Sequence, residues 1–115
     1  MGPTADDLPI EIDCQTVKRR LEAGEDFILL DCREPDEHAL ARIDEATLFP
    51  MSDLIQRADE LHPHRDRHIV VHCHHGGRSL RVAEWLRERG FARAQSMSGG
   101  IDEWSASIDP QVPRY

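Results

Sequence analysis

His68-Ile69-Val70-Val71-His72-Cys73-His74-His75-Gly76-Gly77-Arg78-Ser79 changes character halfway along. Residues 69–71 are an unbroken β-branched run, which suits a strand buried on both faces of a parallel sheet. Cys73 follows directly. Two glycines, an arginine and a serine then lead into a helical pattern that starts at Gly77 or Arg78 and runs to Arg89. Leu80, Ala83 and Leu86, or Val82 and Leu86, form its inner face, and Gly90 supplies the stop. Strand, short polar turn and helix in that order are the repeating unit of α/β domains.

The flanking sequence repeats the alternation. Residues 10–12 read as a short first strand. Asp13 can cap a helix over 14–23, with Val17 and Leu21 on one face and Gly24 as its end. Phe27-Ile28-Leu29-Leu30 is a second apolar run, closed by Asp31. Pro35 suits a first helical turn, so residues 34–40 read as a short helix. Residues 47–49 are a weak strand, and Ser52 is placed to cap a helix over 53–61 with Leu54 and Ala58 inward. Residues 94–97 are a last strand, Gly99-Gly100 a turn, and 101–107 a final helix. The predicted architecture is a mostly parallel sheet of about five strands flanked by helices on both faces. Residues 1–9 read as a flexible N-terminal segment and 10–115 as one domain. The stretch 109–115, with two prolines, is expected to run over the surface. Trp85 and Trp104 read as core, and Arg87-Glu88-Arg89 as solvated helix surface.

Composition narrows the function. The 115 residues carry a formal net charge of −8, which disfavours nucleic acid and anionic membranes as partners. No stretch reaches the roughly 20 apolar residues of a membrane span. The start lacks the basic and apolar regions of a signal peptide, so a cytoplasmic monomer is expected. The three cysteines, Cys14, Cys32 and Cys73, are odd in number and widely spaced, which does not suggest a disulfide framework.

Ligands of parallel sheets bind beyond the carboxyl ends of strands. Asp31-Cys32-Arg33 and residues 73–79 both fall there. The glycines allow a tight turn with N–H groups pointing inward, and the helix start adds unpaired donors. Arg78 adds a full positive charge, and His74 and His75 can add more. Such a cradle lowers a thiol's pKa and suits a nucleophilic cysteine that carries a covalent intermediate. Cys14 reads as packing. Cys32 is either packing or a redox or resolving partner. Six of the seven histidines lie between His62 and His75. They read as surface and site-lining residues, with zinc binding through His72-Cys73-His74-His75 as the alternative.

Four pieces resemble the rhodanese family, in order, over residues 10–115. Phe27 through Glu37 is similar to its first signature, a strand ending in Asp-x-Arg and an acidic position. Cys73-His74-His75-Gly76-Gly77-Arg78-Ser79 is similar to its active-site loop, and Gly99-Gly100-Ile101-Asp102-Glu103-Trp104 to its closing motif. The tail 108–115 resembles that of bacterial single-domain members. The resemblance implies a sulfurtransferase with a persulfide on Cys73 and no metal or organic cofactor. It implies donor binding by His74, His75, Gly76, Gly77, Arg78, Ser79 and Arg33, with Asp31 supporting the site. Its partners would be small-molecule or protein sulfur donors and acceptors. Two departures stand out. Ala41-Arg42-Ile43-Asp44-Glu45-Ala46 replaces the family's Gly-His-Ile-x-Gly-Ala, so Arg42 or Glu45 is expected to alter access to the site. Glu37 stands where some thiosulfate-using members carry a basic residue. The competing readings are a partner-binding module without catalysis and a phosphatase or arsenate reductase. Against the last, only four residues separate Cys73 from Arg78, where the related phosphatases have five.

Overall fold

The structure, a computed structural model, describes residues 8–115. Residues 1–7 of the expected flexible segment lie outside the described residues. Residues 8 and 9 lie against the domain. Arg87 donates to the Leu8 and Pro9 carbonyls at 3.2 and 2.9 Å, and Gln95 donates to Pro9 at 2.8 Å.

The chain runs β1 (Glu11–Ile12), α1 (Cys14–Glu22), β2 (Ile28–Asp31), α2 (Pro35–Leu40), β3 (Thr47–Leu48), α3 (Leu54–Leu61), β4 (Ile69–His72), α4 (Gly77–Glu88), β5 (Ala94–Met97) and α5 (Gly100–Ser107). The five strands pair in parallel in the order β1-β5-β4-β2-β3. β4, the most apolar strand, is central because both its faces are covered, and all four of its residues are buried.

Strand alternation divides the core in two. Leu30, Ile69 and Val71 pack with Leu54 and Leu61 of α3 and Val82, Ala83 and Leu86 of α4. Leu29, Val70 and Met97 pack with Cys14 and Val17 of α1 and Ile101 and Trp104 of α5. Burying each such aliphatic side chain stabilises the fold by about 1.5–3 kcal/mol. No helix of the described residues is long and apolar enough to cross a membrane.

Local signals hold with three adjustments. Asp13 caps α1 as expected, accepting the Thr16 N–H at 2.7 Å. Ser52 does not cap α3. It already lies in a 3-10 turn, Met51–Asp53, that runs into the helix, and its hydroxyl donates to the Glu34 carboxylate at 2.8 Å. The inner face of α4 is Ser79, Val82, Ala83 and Leu86, with Leu80 only half-buried. His68 is not a surface residue. It is 2% exposed, with its ring nitrogens 2.7 Å from Arg20 and 2.6 Å from the Gln95 side-chain oxygen.

Candidate active site

β2 and β4 are neighbours in register, with Asp31 beside His72. The next residue on each is a cysteine. Alternation sends Cys32 and Cys73 toward the α3/α4 core and turns Asp31 and His72 the other way. After Cys73 the chain turns through Gly76, whose φ of +110° is costly for a residue with a Cβ, and enters α4. That turn brings the Gly76 and Ser79 N–H groups to Cys73 Sγ at 3.1 and 3.3 Å. Ser79 Oγ lies 3.4 Å from the same sulfur and 2.7 Å from Ser96 Oγ on β5.

α5 closes the loop from behind. The Ile101 and Asp102 N–H groups donate to the Cys73 and His74 carbonyls at 2.9 and 3.0 Å. This approach is possible only because residue 100 is glycine. A Cβ there would lie 2.4–2.5 Å from those two carbonyl oxygens, and φ is +60°.

Cys73 is 1% exposed, and burial alone would push its thiol pKa up. The net direction is strongly down. The Cys32 thiol beside it is the largest cause, followed, after burial, by the Ser79 side chain and the Ser79 and Gly76 N–H groups. Cys32 moves the opposite way, because its proton is held by the neighbouring Cys73 sulfur and because it is buried. Of the two sulfurs, Cys73 is the one whose surroundings favour the thiolate.

The charged residues differ from expectation. Arg33 is 0% exposed and spends all five N–H donors on protein. Two go to Asp31 from the side chain at 2.9 and 2.7 Å, and the others to Ala41 O, Glu37 O and the Tyr115 hydroxyl at 2.6, 3.3 and 2.9 Å. Arg33 thus braces the site and has no donor left for a ligand, which corrects its expected binding role. Asp31 accepts two hydrogen bonds from the Arg33 side chain beneath the loop. Burial pushes its carboxyl up, but hydrogen bonds from Arg33, the nearby His72 and His38 outweigh that and hold it ionised. Arg78 is held by Glu37 through two hydrogen bonds, at 2.7 and 2.9 Å, so its charge is already met. This pair holds the Glu37 carboxyl down at about 2.

His74 stacks flat on Tyr115 at 3.9 Å, while His75 is exposed. His72 and Cys73 face opposite sides of the sheet, so the run His72-Cys73-His74-His75 does not converge. Among the described residues, His74, His75 and Asp102 bring three ligand atoms within 4.8 Å of one another, but Asp102 is already paired with Arg114. Arg42 pairs with Asp44 and lines a surface groove with Ala39, Asp109 and Val112, none of them in the Cys73 loop.

Three contributors went unread in the sequence. Ser96 touches Ser79 from a strand with no strong pattern. The Glu37–Arg78 pair joins residues 41 positions apart, with only the acidic residue at 37 as a signal. Tyr115 donates to Glu37 at 2.7 Å from a tail expected merely to cross the surface.

A rhodanese-like domain model matches residues 13–107. A protein named sulfurtransferase from Allochromatium vinosum is 35% identical over 95 residues, covering 83% of this chain and 87% of that protein. The chloroplastic rhodanese-like/PpiC domain-containing protein 12 of Arabidopsis thaliana is 35% identical over 91 residues, and the match spans 76% of this chain but only 30% of that protein. The crystal structure of a rhodanese-related protein from Thermoplasma volcanium superposes with a TM-score of 0.77 at 28% identity, covering 93% of this chain and all of that one. With the parallel five-strand sheet and the cysteine loop between β4 and α4, these matches establish that the chain belongs to the rhodanese-like domain family.

Proposed function

We propose that this protein is a sulfurtransferase that moves sulfane sulfur from a donor, thiosulfate or a persulfide, to a thiophilic acceptor through a persulfide on Cys73. The observation that carries the reading is the pair of backbone N–H groups, from Gly76 and Ser79, aimed at a single sulfur at 3.1 and 3.3 Å. Such donors stabilise a sulfur anion before and after it is loaded.

With thiosulfate, the Cys73 thiolate attacks the sulfane sulfur. The S–S bond of the donor breaks, sulfite leaves, and Cys73 carries S–S⁻. An acceptor nucleophile then attacks the outer sulfur and restores the thiolate. The loop 74–79 surrounds the added sulfur, and the first-turn amides of α4 at Gly77 and Arg78 have no intrahelical acceptor. Arg78 orients the loop through Glu37 and offers a full charge to an anionic donor only when that pair opens.

Intact-mass measurement after incubation with thiosulfate or a thiol persulfide tests the reading. One sulfur, about 32 Da, should be gained and then removed by dithiothreitol or cyanide. Cys73→Ser should gain none. Persulfide on that variant, or rapid release of phosphate from an aryl phosphate by the unaltered protein, would overturn it.

A further inference from the structure

We propose that Cys32 and Cys73 form a redox pair, with Cys32 as the resolving thiol that closes a reversible disulfide between the ends of β2 and β4 once a peroxide has oxidised Cys73. The inference stands apart from sulfur transfer and needs no sulfur donor.

Register carries it. Asp31 pairs with His72, and the Cys32 N–H donates to the His72 carbonyl at 3.0 Å, so the parallel pairing continues into the two cysteines. Adjacent strands lie about 4.8 Å apart, inside the roughly 4.4–6.8 Å between Cα atoms that a disulfide spans. Both side chains lie on the same sheet face, in one core cluster, and each residue is 1% exposed. Cys14, the third cysteine, packs in the other core and points at the Ser98 and Gly100 carbonyls.

The chemistry balances without a further partner. The Cys73 thiolate attacks one peroxide oxygen, the O–O bond breaks, and the sulfur is oxidised by two electrons to a sulfenic acid. The departing alkoxide or hydroxide takes a proton from solvent. Cys32 sulfur then attacks Cys73 Sγ, the S–O bond breaks, and the leaving hydroxide departs as water with the Cys32 proton. Converting Cys73 to a neutral sulfenic acid removes the anion whose neighbourhood pushes the Cys32 thiol up, so the first step prepares the second. Closure protects Cys73 from irreversible oxidation and blocks its loop until a reductant opens it.

The test uses hydrogen peroxide on the reduced full chain, followed by intact mass and non-reducing tryptic mapping. The expected result is a loss of about 2 Da, reversed by dithiothreitol, with peptide 21–33 linked to peptide 68–78. Cys14→Ser should give the same link. Cys32→Ser should instead gain about 32 Da on Cys73 as sulfinic acid that dithiothreitol does not remove. The wild-type map decides even if Cys32→Ser does not fold. Wild-type protein that goes to sulfinic acid without forming the link, or that links through Cys14, would overturn the pair. Sulfur loading from thiosulfate is read separately, so its failure would leave this result intact.

Discussion

Cys14 and Cys73 are each 1% exposed, yet their surroundings push them in opposite directions. Cys14 opens α1 and faces carbonyl oxygens, those of Ser98 at 3.7 Å and Gly100 at 3.8 Å. Burial first, then the charges of Glu103 and Asp13, push its thiol up to about 11. Cys73 follows β4, and the Cys32 thiol, the Ser79 hydroxyl and the Ser79 and Gly76 N–H groups hold it well below the usual thiol range. Burial is common to both and works against the thiolate in both. The sign differs because hydrogen-bond donors at Cys73 outweigh its burial, whereas at Cys14 burial and two carboxylates act together with nothing to offset them.

The sharpest way to break this contrast is to exchange the two cysteines' fates. Cys73→Ser should abolish sulfur acceptance, while Cys14→Ser should load sulfur like the unaltered protein. Intact mass reads both. Equal loading by Cys73→Ser would dissolve the distinction.

Gly100→Ala attacks the loop without touching a cysteine. Its Cβ would sit against the Cys73 and His74 carbonyls. Backbone strain of about 1–3 kcal/mol is expected, lowering the melting temperature by several degrees. Sulfur loading should fall by about 10²-fold as the Sγ donors lose alignment. Rates and a thermal melt check this. An unchanged melt would show that α5 does not fix the loop.

Alkylation against pH compares the two thiols directly. Cys73 should react with a midpoint below the free-thiol value of about 8.5. Cys14 should stay inert until pH approaches 11. Ser79→Ala keeps the backbone donor and loses the hydroxyl, so the Cys73 midpoint should rise by about one pH unit. No shift would mean that the hydroxyl serves Ser96 alone.

Glu37→Gln gives the smallest effect. Freed from its ion pair, Arg78 should lower KM for thiosulfate about two- to fivefold, as expected for a partly exposed pair worth under about 1 kcal/mol. The stability profile has a definite sign. Glu37 has its folded pKa lowered to about 2, so its stabilising contribution is present above its unfolded value, 4.5, and is lost as pH falls from there toward 2. Melting curves across that window should be steeper for the unaltered protein than for Glu37→Gln.

The strongest sequence signals were local. Residues 68–72 were legible as a central strand because the β-branched run at 69–71 fits only where both faces are covered. Asp13 was legible as a cap because the Thr16 N–H it meets lies three residues away. Ser52 misled because its cap geometry depends on whether the preceding turn is extended, and here it is a 3-10 turn. His68 misled because its polar partners, Arg20 and Gln95, come from 48 and 27 residues away.

The sequence by itself determined the order of strands and helices, the position of Cys73 at a strand end and the glycine-opened turn into α4. These depend on backbone preference and on neighbours within a few residues. Only the tertiary structure decided that Arg33 braces Asp31 while Arg78 answers to Glu37, that α5 backs the loop, and that Cys32 and Cys73 share one buried core cluster. Those pairings join segments brought together by sheet register and packing. Whether a side chain binds, braces or is neutralised depends on such partners, because each hydrogen bond or charge can be spent only once.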